Sequence, residues 1–335
     1  MTFSARGIPI HTRSLSTTLR EGAGGAVAFD GYVLDLRKRG AVPVGGYIQG
    51  PGIIHHMQLS GTVDRTVPAY REIEAQMPSV AFEASPGTGG ESCRDRIGNV
   101  AGLIGLPLGD GYPRAIGREI GGVLGCSHIL TLAQLLGPTI VWGLERDAER
   151  AGGSGRPSGE RFFRRDVTVD GYVDGDELRL LAQLNDLHLR PEAECEQTTD
   201  RLAEQVEVRV QATLSLAGMA VSGVLVEERR RTLADLETAP WRPRPERAAL
   251  LDGGSFARGI SGHILRGFGP GGNDRPVLDT FLMLAPATIQ CLASYRDTWT
   301  KLGGSKLAES GGHADSCYMW RERGALQKRR TPSAD

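Results

Sequence analysis

The chain has 335 residues, 40% hydrophobic and 24% charged, with 39 basic against 40 acidic side chains and a formal net charge of -1. That balance leaves no global basic field for nucleic acid, and the length supplies ample core for one large domain or two ordinary ones. Uninterrupted apolar runs fall short of the ~20 residues of a membrane helix, no signal-peptide pattern is read, and the five cysteines are scattered without a CxxC pair, so a soluble cytoplasmic protein is expected, with no membrane or nucleic-acid partner.

In chain order, alternation of apolar and polar residues predicts four strands in the first half. They are TRSLSTTL after His11, AVAFDGYVLDLRK after the Gly22-Ala23-Gly24-Gly25 turn, IIHHMQLSGTV, and VPAYREIEAQM. Beyond the Gly-rich loop from Pro86 to Gly90, SCRDRIGNVAGLIG and YPRAIGREIGG predict short helices. SHILTLAQLLGPTIVWGLERDAER predicts a longer one, with Ser127 as its N-cap and a kink at Pro138. The segment AGGSGRPSGE, 151–160, reads as a linker. FFRRDVTV, ELRLLAQLNDLHL, VEVRVQATLSL and AVSGVLVEERR then predict four more strands, followed by the long helical PVLDTFLMLAPATIQCLASYRDTW.

The two orders match residue by residue: Asp35-Leu36 falls on Asp186-Leu187, Arg39 on Arg190, and Pro138 on Pro286. An interior proline costs a helix about 3 kcal/mol, so a matched pair is a specific signal. The expected fold is α+β: a tandem repeat of two four-stranded antiparallel sheets, each followed by a long kinked helix, packed around a central cavity. Residues 1–150 form the first repeat, 151–300 a second, degenerate repeat, and 301–335 a docking segment and tail.

Three polar clusters mark the first half: His11-Thr12-Arg13, His55-His56-Met57 and Cys126-Ser127-His128. On the second half His11 falls on Phe163, His55-His56 on Val208-Arg209, and Cys126 and His128 on Asp274 and Pro276. One half therefore keeps a candidate site and the other keeps packing. Imidazole and phenol groups suit proton transfer, and the planar fork of Arg13 suits a carboxylate or phenolate. The catalytic candidates are His55, His56, His128, Arg13 and Tyr32; His11, Tyr47, Tyr112, Trp142, Tyr318 and Trp320 are candidates to line an aromatic-binding pocket. His55 and His56 point to opposite sides of a strand and cannot chelate one ion together, so no metal is expected. No GxGxxG follows a strand and no GxxxxGK[ST] occurs, so no nucleotide cofactor is expected either.

HTR, GIIHHMQLSGTV, EIEAQM, GLIGLPLGDGYPRAIGREIGGVLGCSHILTLAQLLGPT and the late DSCYMW together resemble a bacterial family catalogued as domain of unknown function 2889. The resemblance covers most of Ile10 to Arg146. Where the family has an HDM-like triplet this chain has His55-His56-Met57, and where it has GCTH this chain has Gly125-Cys126-Ser127-His128, so an acidic position is occupied by His56. The association of family members with breakdown of plant-derived aromatics implies a cofactor-free lyase on a small phenolic (lignin-derived) compound, working by general acid-base chemistry with release of formaldehyde. A carrier or sensor using the same cavity, or a thioesterase or hydrolase, are the alternative expectations, and a homodimer is compatible with either.

Overall fold

Fully buried and half-buried residues alternate along most of the long strands, as a sheet with one covered face requires. The computed structural model describes residues 3–40, 42–44, 47–151, 155–256, 260–269, 272–299 and 314–330. Its strands are β1 Ile8–Glu21, β2 Ala26–Arg37, β3 Val42–Val44, β4 Tyr47–Gln49, β5 Gly52–Asp64, β6 Tyr70–Ser79, β7 Arg161–Asp174, β8 Glu177–Leu189, β9 Leu202–Ser215, β10 Val221–Arg231 and β11 Arg242–Pro243. The eight long strands coincide with the eight the alternation predicts.

Their assembly differs from the expectation. Nine strands form one antiparallel sheet in the order β11-β10-β9-β8-β7-β1-β2-β5-β6, and β3 pairs separately with β4. Two separate four-stranded sheets enclosing a cavity are not formed, because β1 and β7 pair antiparallel from Ile8 opposite Val173 to Arg20 opposite Arg161. The physical reason is the edge. Two isolated four-stranded units would each leave a row of backbone N–H and C=O groups unpaired, and joining them at β1 and β7 satisfies both rows.

The apolar face is covered by helices instead of by a second sheet. The helices are α1 Tyr112–Ile120, α2 Ser127–Ala151, α3 Pro245–Ala248, α4 Ile260–Phe268, α5 Arg275–Trp299 and α6 Ala325–Arg330. Helices α2 and α5 each span 25 residues and run through their interior prolines, Pro138 and Pro286. Leu132, Leu136 and Ile140 of α2, with Leu278, Phe281 and Leu284 of α5, join the same core as Phe29, Met57, Val169 and Val210 of the sheet. The spans Ser127–Glu149 and Gly272–Tyr295 are long and apolar enough to cross a membrane, yet 67% of each apolar window is buried in the fold, as befits core helices. The stretch Cys93–Leu103, where a short helix was expected, winds as 3₁₀ turns interrupted at Arg96.

Gly171 fixes how closely α5 approaches the sheet. A Cβ there would lie 2.2 Å from Cys291 Sγ, so only glycine lets the helix seat on β7, directly opposite His11 in the β1–β7 register. The stretch 314–330 contacts the first half of the chain: Tyr318 N–H donates to the Gly125 carbonyl at 2.9 Å, and Arg321 pairs with Glu91. Residues 301–313 and 331–335 of the expected docking segment lie outside the described residues.

Candidate functional site

The sheet register places three charged or ionisable side chains in one row on the covered face. Arg13 of β1 stands opposite Asp35 of β2, and Asp35 stands opposite His55 of β5. Facing pairs in a sheet have Cβ atoms about 4.5–5.5 Å apart, so the row forces these groups together. His11, two residues before Arg13, shares the same face, and the start of α2 lowers His128 onto it.

Asp35 is the hub. His11 Nε2 lies 3.0 Å from its Oδ1, while Arg13 Nη1, His55 Nδ1 and His128 Nε2 lie 3.6, 3.5 and 3.4 Å from its Oδ2. The His55 and His128 rings overlap with centroids 3.7 Å apart and planes inclined by 31°. Two side chains of α5 complete the surround: the Ser294 hydroxyl is 2.9 Å from His11 Nδ1, and Gln290 Nε2 is 3.0 Å from His128 Nε2. Cys126 Sγ lies 3.8 Å from both His128 Nδ1 and Met57 Sδ.

Burial sets the electrostatics. His11 and Asp35 are 0% exposed and Arg13 1%, whereas His55 at 5% and His128 at 8% are the members nearest solvent. Burial pushes the Asp35 carboxyl up, but the Arg13 charge, the hydrogen bond from His11 and the nearness of His55 outweigh it, holding Asp35 well below the usual carboxylate range. Burial lowers His11 against the pull of Asp35, and burial with the neighbouring His55 takes His128 well below the usual imidazole value. Burial raises the Cys126 thiol to about 11, which removes thiolate character despite the helix start.

The cluster is incompletely satisfied. Arg13 Nε and Nη2, Asp35 Oδ2 and His55 Nδ1 have no hydrogen-bond partner among the described residues. Buried polar atoms are nearly always paired, and these four gather around one carboxylate, where a further polar partner could reach them together.

The corresponding row in the other half of the sheet is filled differently. Arg165 faces Asp186, and Asp186 faces Val206 rather than the Val208 that sequence matching places at the His55 position. Arg165 donates to both Asp186 oxygens at 2.6 Å and to Thr139 at 3.0 Å, and pairs with Asp279.

Of the predicted residues, the fold unites His11, Arg13, His55 and His128. The others go elsewhere. His56 and Tyr32 sit on the opposite face of the sheet, edge to face at 6.3 Å, because strand neighbours alternate sides. Tyr112 is a core residue whose hydroxyl donates to the Ala133 carbonyl and bonds Tyr70, both at 2.9 Å; burial raises its phenol well above the usual range. Trp142 donates to Asp186 at 3.0 Å and belongs to the second row. Tyr318 lies under Arg96 and Arg321, and Trp320 packs edge-on against Phe82. The side chain of Tyr47 lies outside the described residues. Sequence reasoning missed Gln290, Ser294 and above all the role of Asp35, although the alternation Val33, Asp35, Arg37 already put that carboxyl on the apolar side. Cavities of about 170 and 250 Å³ lie away from this cluster, beside His188 and Arg190 and on the outer face beside Trp241.

These features define an α+β domain built on a helix-covered antiparallel sheet, with a buried Arg–Asp–His row as its candidate site. Residues 11–141 match the family model described as Protein of unknown function (DUF2889), so that stretch of the first half is similar to the family. The match contains His11, Arg13, Asp35, His55, Cys126 and His128, while Gln290 and Ser294 come from outside it. No curated protein and no solved structure matches the chain.

Proposed function

We propose that the Asp35-centred cluster is the active site of a lyase acting on a small phenolic compound. The observation that supports it is the convergence of His11, Arg13, Asp35, His55 and His128 on one covered sheet face with four buried polar atoms unpartnered. The phenolic substrate comes from the family resemblance; the chemistry fits the residues. Loss of the phenol proton and of a benzylic leaving group gives a quinone methide. Deprotonation of a neighbouring primary alcohol then breaks the adjacent carbon–carbon bond, formaldehyde departs, and the bonding pair restores the aromatic ring. The sum is substrate to alkene, formaldehyde and the protonated leaving group, so no oxidant or reductant is consumed. It calls for a base near solvent, where His55 and His128 stand, and for a cation against the phenolate, which the free nitrogens of Arg13 supply.

The test is a panel of phenolic arylpropane diols incubated with the full chain, scored for formaldehyde and for the conjugated alkene. Products from wild type, lost on His55→Ala, support the lyase. Tight binding without product supports a carrier instead.

We also propose that the two halves are an internal duplication. It is supported by the mirrored strand order about β7 and β1, by Pro138 and Pro286 inside helices of equal length, and by the matched Arg13–Asp35 and Arg165–Asp186 pairs.

A further inference from the structure

We infer that Asp35, His55 and His128 form a binding site for a divalent transition-metal ion, zinc or iron(II), a step that rests on the reading of this cluster as the active site. One ligand atom from each of the three lies within 4.8 Å of the other two. The gaps of 3.5 Å from Asp35 Oδ2 to His55 Nδ1 and 3.4 Å to His128 Nε2 are long for hydrogen bonds. They match the edge of a coordination tetrahedron: two ligands each about 2.1 Å from an ion and tetrahedrally disposed stand about 3.4 Å apart. Two of the three candidate ligand atoms, Asp35 Oδ2 and His55 Nδ1, are also among the buried atoms that lack a hydrogen-bond partner.

The surroundings fit a held ion. Asp35 Oδ1 is engaged by His11, which Ser294 anchors in turn, and such an outer hydrogen bond orients a ligating carboxylate. Two imidazoles and one carboxylate suit zinc or iron(II), and three protein ligands leave a position open for substrate or water. Gln290, now against His128 Nε2, is the side chain that must swing aside. Arg13 opposes a bare cation but complements an ion that carries an anionic oxygen, so the site favours metal and phenolate together. The ion would lower the proton affinity of a bound phenol or water without redox chemistry, so in the loaded site His55 and His128 serve as ligands and the base role passes to the bound water.

This reading replaces the expectation of a metal-free site. That expectation rested on His55 and His56 diverging, with His56 in the acidic position of the family triplet. The divergence is observed, but the carboxylate is supplied by Asp35 on the adjacent strand.

The experiment is equilibrium dialysis of the full chain against zinc, and anaerobically against iron(II), with elemental analysis and thermal melts. Wild type and His56→Ala should hold one ion per chain and melt higher when loaded. His55→Ala, His55→Gln and His128→Ala, folded by circular dichroism, should lose more affinity than the ~10–100-fold that an outer hydrogen bond is worth. Substoichiometric metal in wild type, or equal loading in the variants, overturns the site. Turnover by chelator-treated chain overturns the metal and leaves the lyase standing. A fully loaded chain silent on every phenolic does the reverse.

Discussion

Replacing each of the two buried arginines by methionine should separate site from scaffold. Arg165 is fully engaged: two bonds of 2.6 Å to Asp186, one of 3.0 Å to Thr139, and an ion pair with Asp279. In Arg165→Met, Asp279 keeps Arg275, but the fully buried Asp186 keeps only the Trp142 N–H. Removing one partner of a buried ion pair costs about 3–5 kcal/mol. At roughly 2 °C per kcal/mol for a chain of this size, the melting midpoint should fall by about 6–10 °C. Arg13 is different. Its contact with Asp35 is 3.6 Å, and its Nε and Nη2 have no partner among the described residues. Each unsatisfied buried donor costs about 1–3 kcal/mol, and Arg13→Met relieves that cost. Asp35 retains His11 at 3.0 Å and two more imidazoles within 3.5 Å. The expected loss is below about 2 kcal/mol, under about 4 °C, with turnover abolished. Calorimetric melts and urea unfolding of both variants measure this. If Arg13→Met falls as far as Arg165→Met, the first row is scaffold and the argument from its unsatisfied atoms fails.

His55→Ala and His128→Ala should each lower phenolic turnover by about 10²–10⁴-fold while the far-ultraviolet spectrum holds, with His56→Ala as the unaffected reference; equal losses in all three would remove the face assignment. Tyr112→Phe should cost about 1–2 kcal/mol of stability, from its bonds to Ala133 and Tyr70, and leave the rate intact. A rate loss there would return Tyr112 to the chemistry. Asp64 accepts from the Thr66 and Val67 backbone N–H groups at 2.8 and 3.0 Å and pairs with Arg71; the Val67 bond, then Arg71, hold it at about 2 against an ordinary 3.8. Because the folded value is depressed, its stabilisation of the β5–β6 turn is present above the ordinary value and is lost as pH falls through about 2. Carboxyl chemical shifts titrated by NMR check it, and an unshifted Asp64 contradicts the turn geometry.

The strands were legible because each carries its own evidence: alternation is a local property, and all eight long ones fall where it places them. The joining of the halves was not legible. It depends on which edges meet, and the β1–β7 contact links residues more than a hundred positions apart with no local signature. For the site, motif clustering found His11, Arg13, His55 and His128, because polar residues on the apolar side of a strand or helix entry stand out in sequence. The same test was blind to Gln290 and Ser294, which look like ordinary helix residues until α5 is laid over β1. Tyr112 and Trp142 were chosen for their chemistry alone, and partners elsewhere in the fold account for both.

Comparison of the two rows explains why only one is a candidate for chemistry. Both hold an arginine facing an aspartate, so the pair alone is a structural device of this sheet. In the second row Val206 closes one side, and Thr139, Trp142 and Asp279 supply the remaining donors and acceptors, leaving Arg165 and Asp186 with full complements. In the first row His55 stands where Val206 does, His11 where Phe163 does, and α2 adds His128. Those substitutions bring three ionisable rings to one carboxylate that cannot satisfy them all, and leave Arg13 partly unpaired. A stable core gains nothing from that arrangement. A ligand that brings an oxygen, alone or on a metal ion, would satisfy Arg13 and the histidines together.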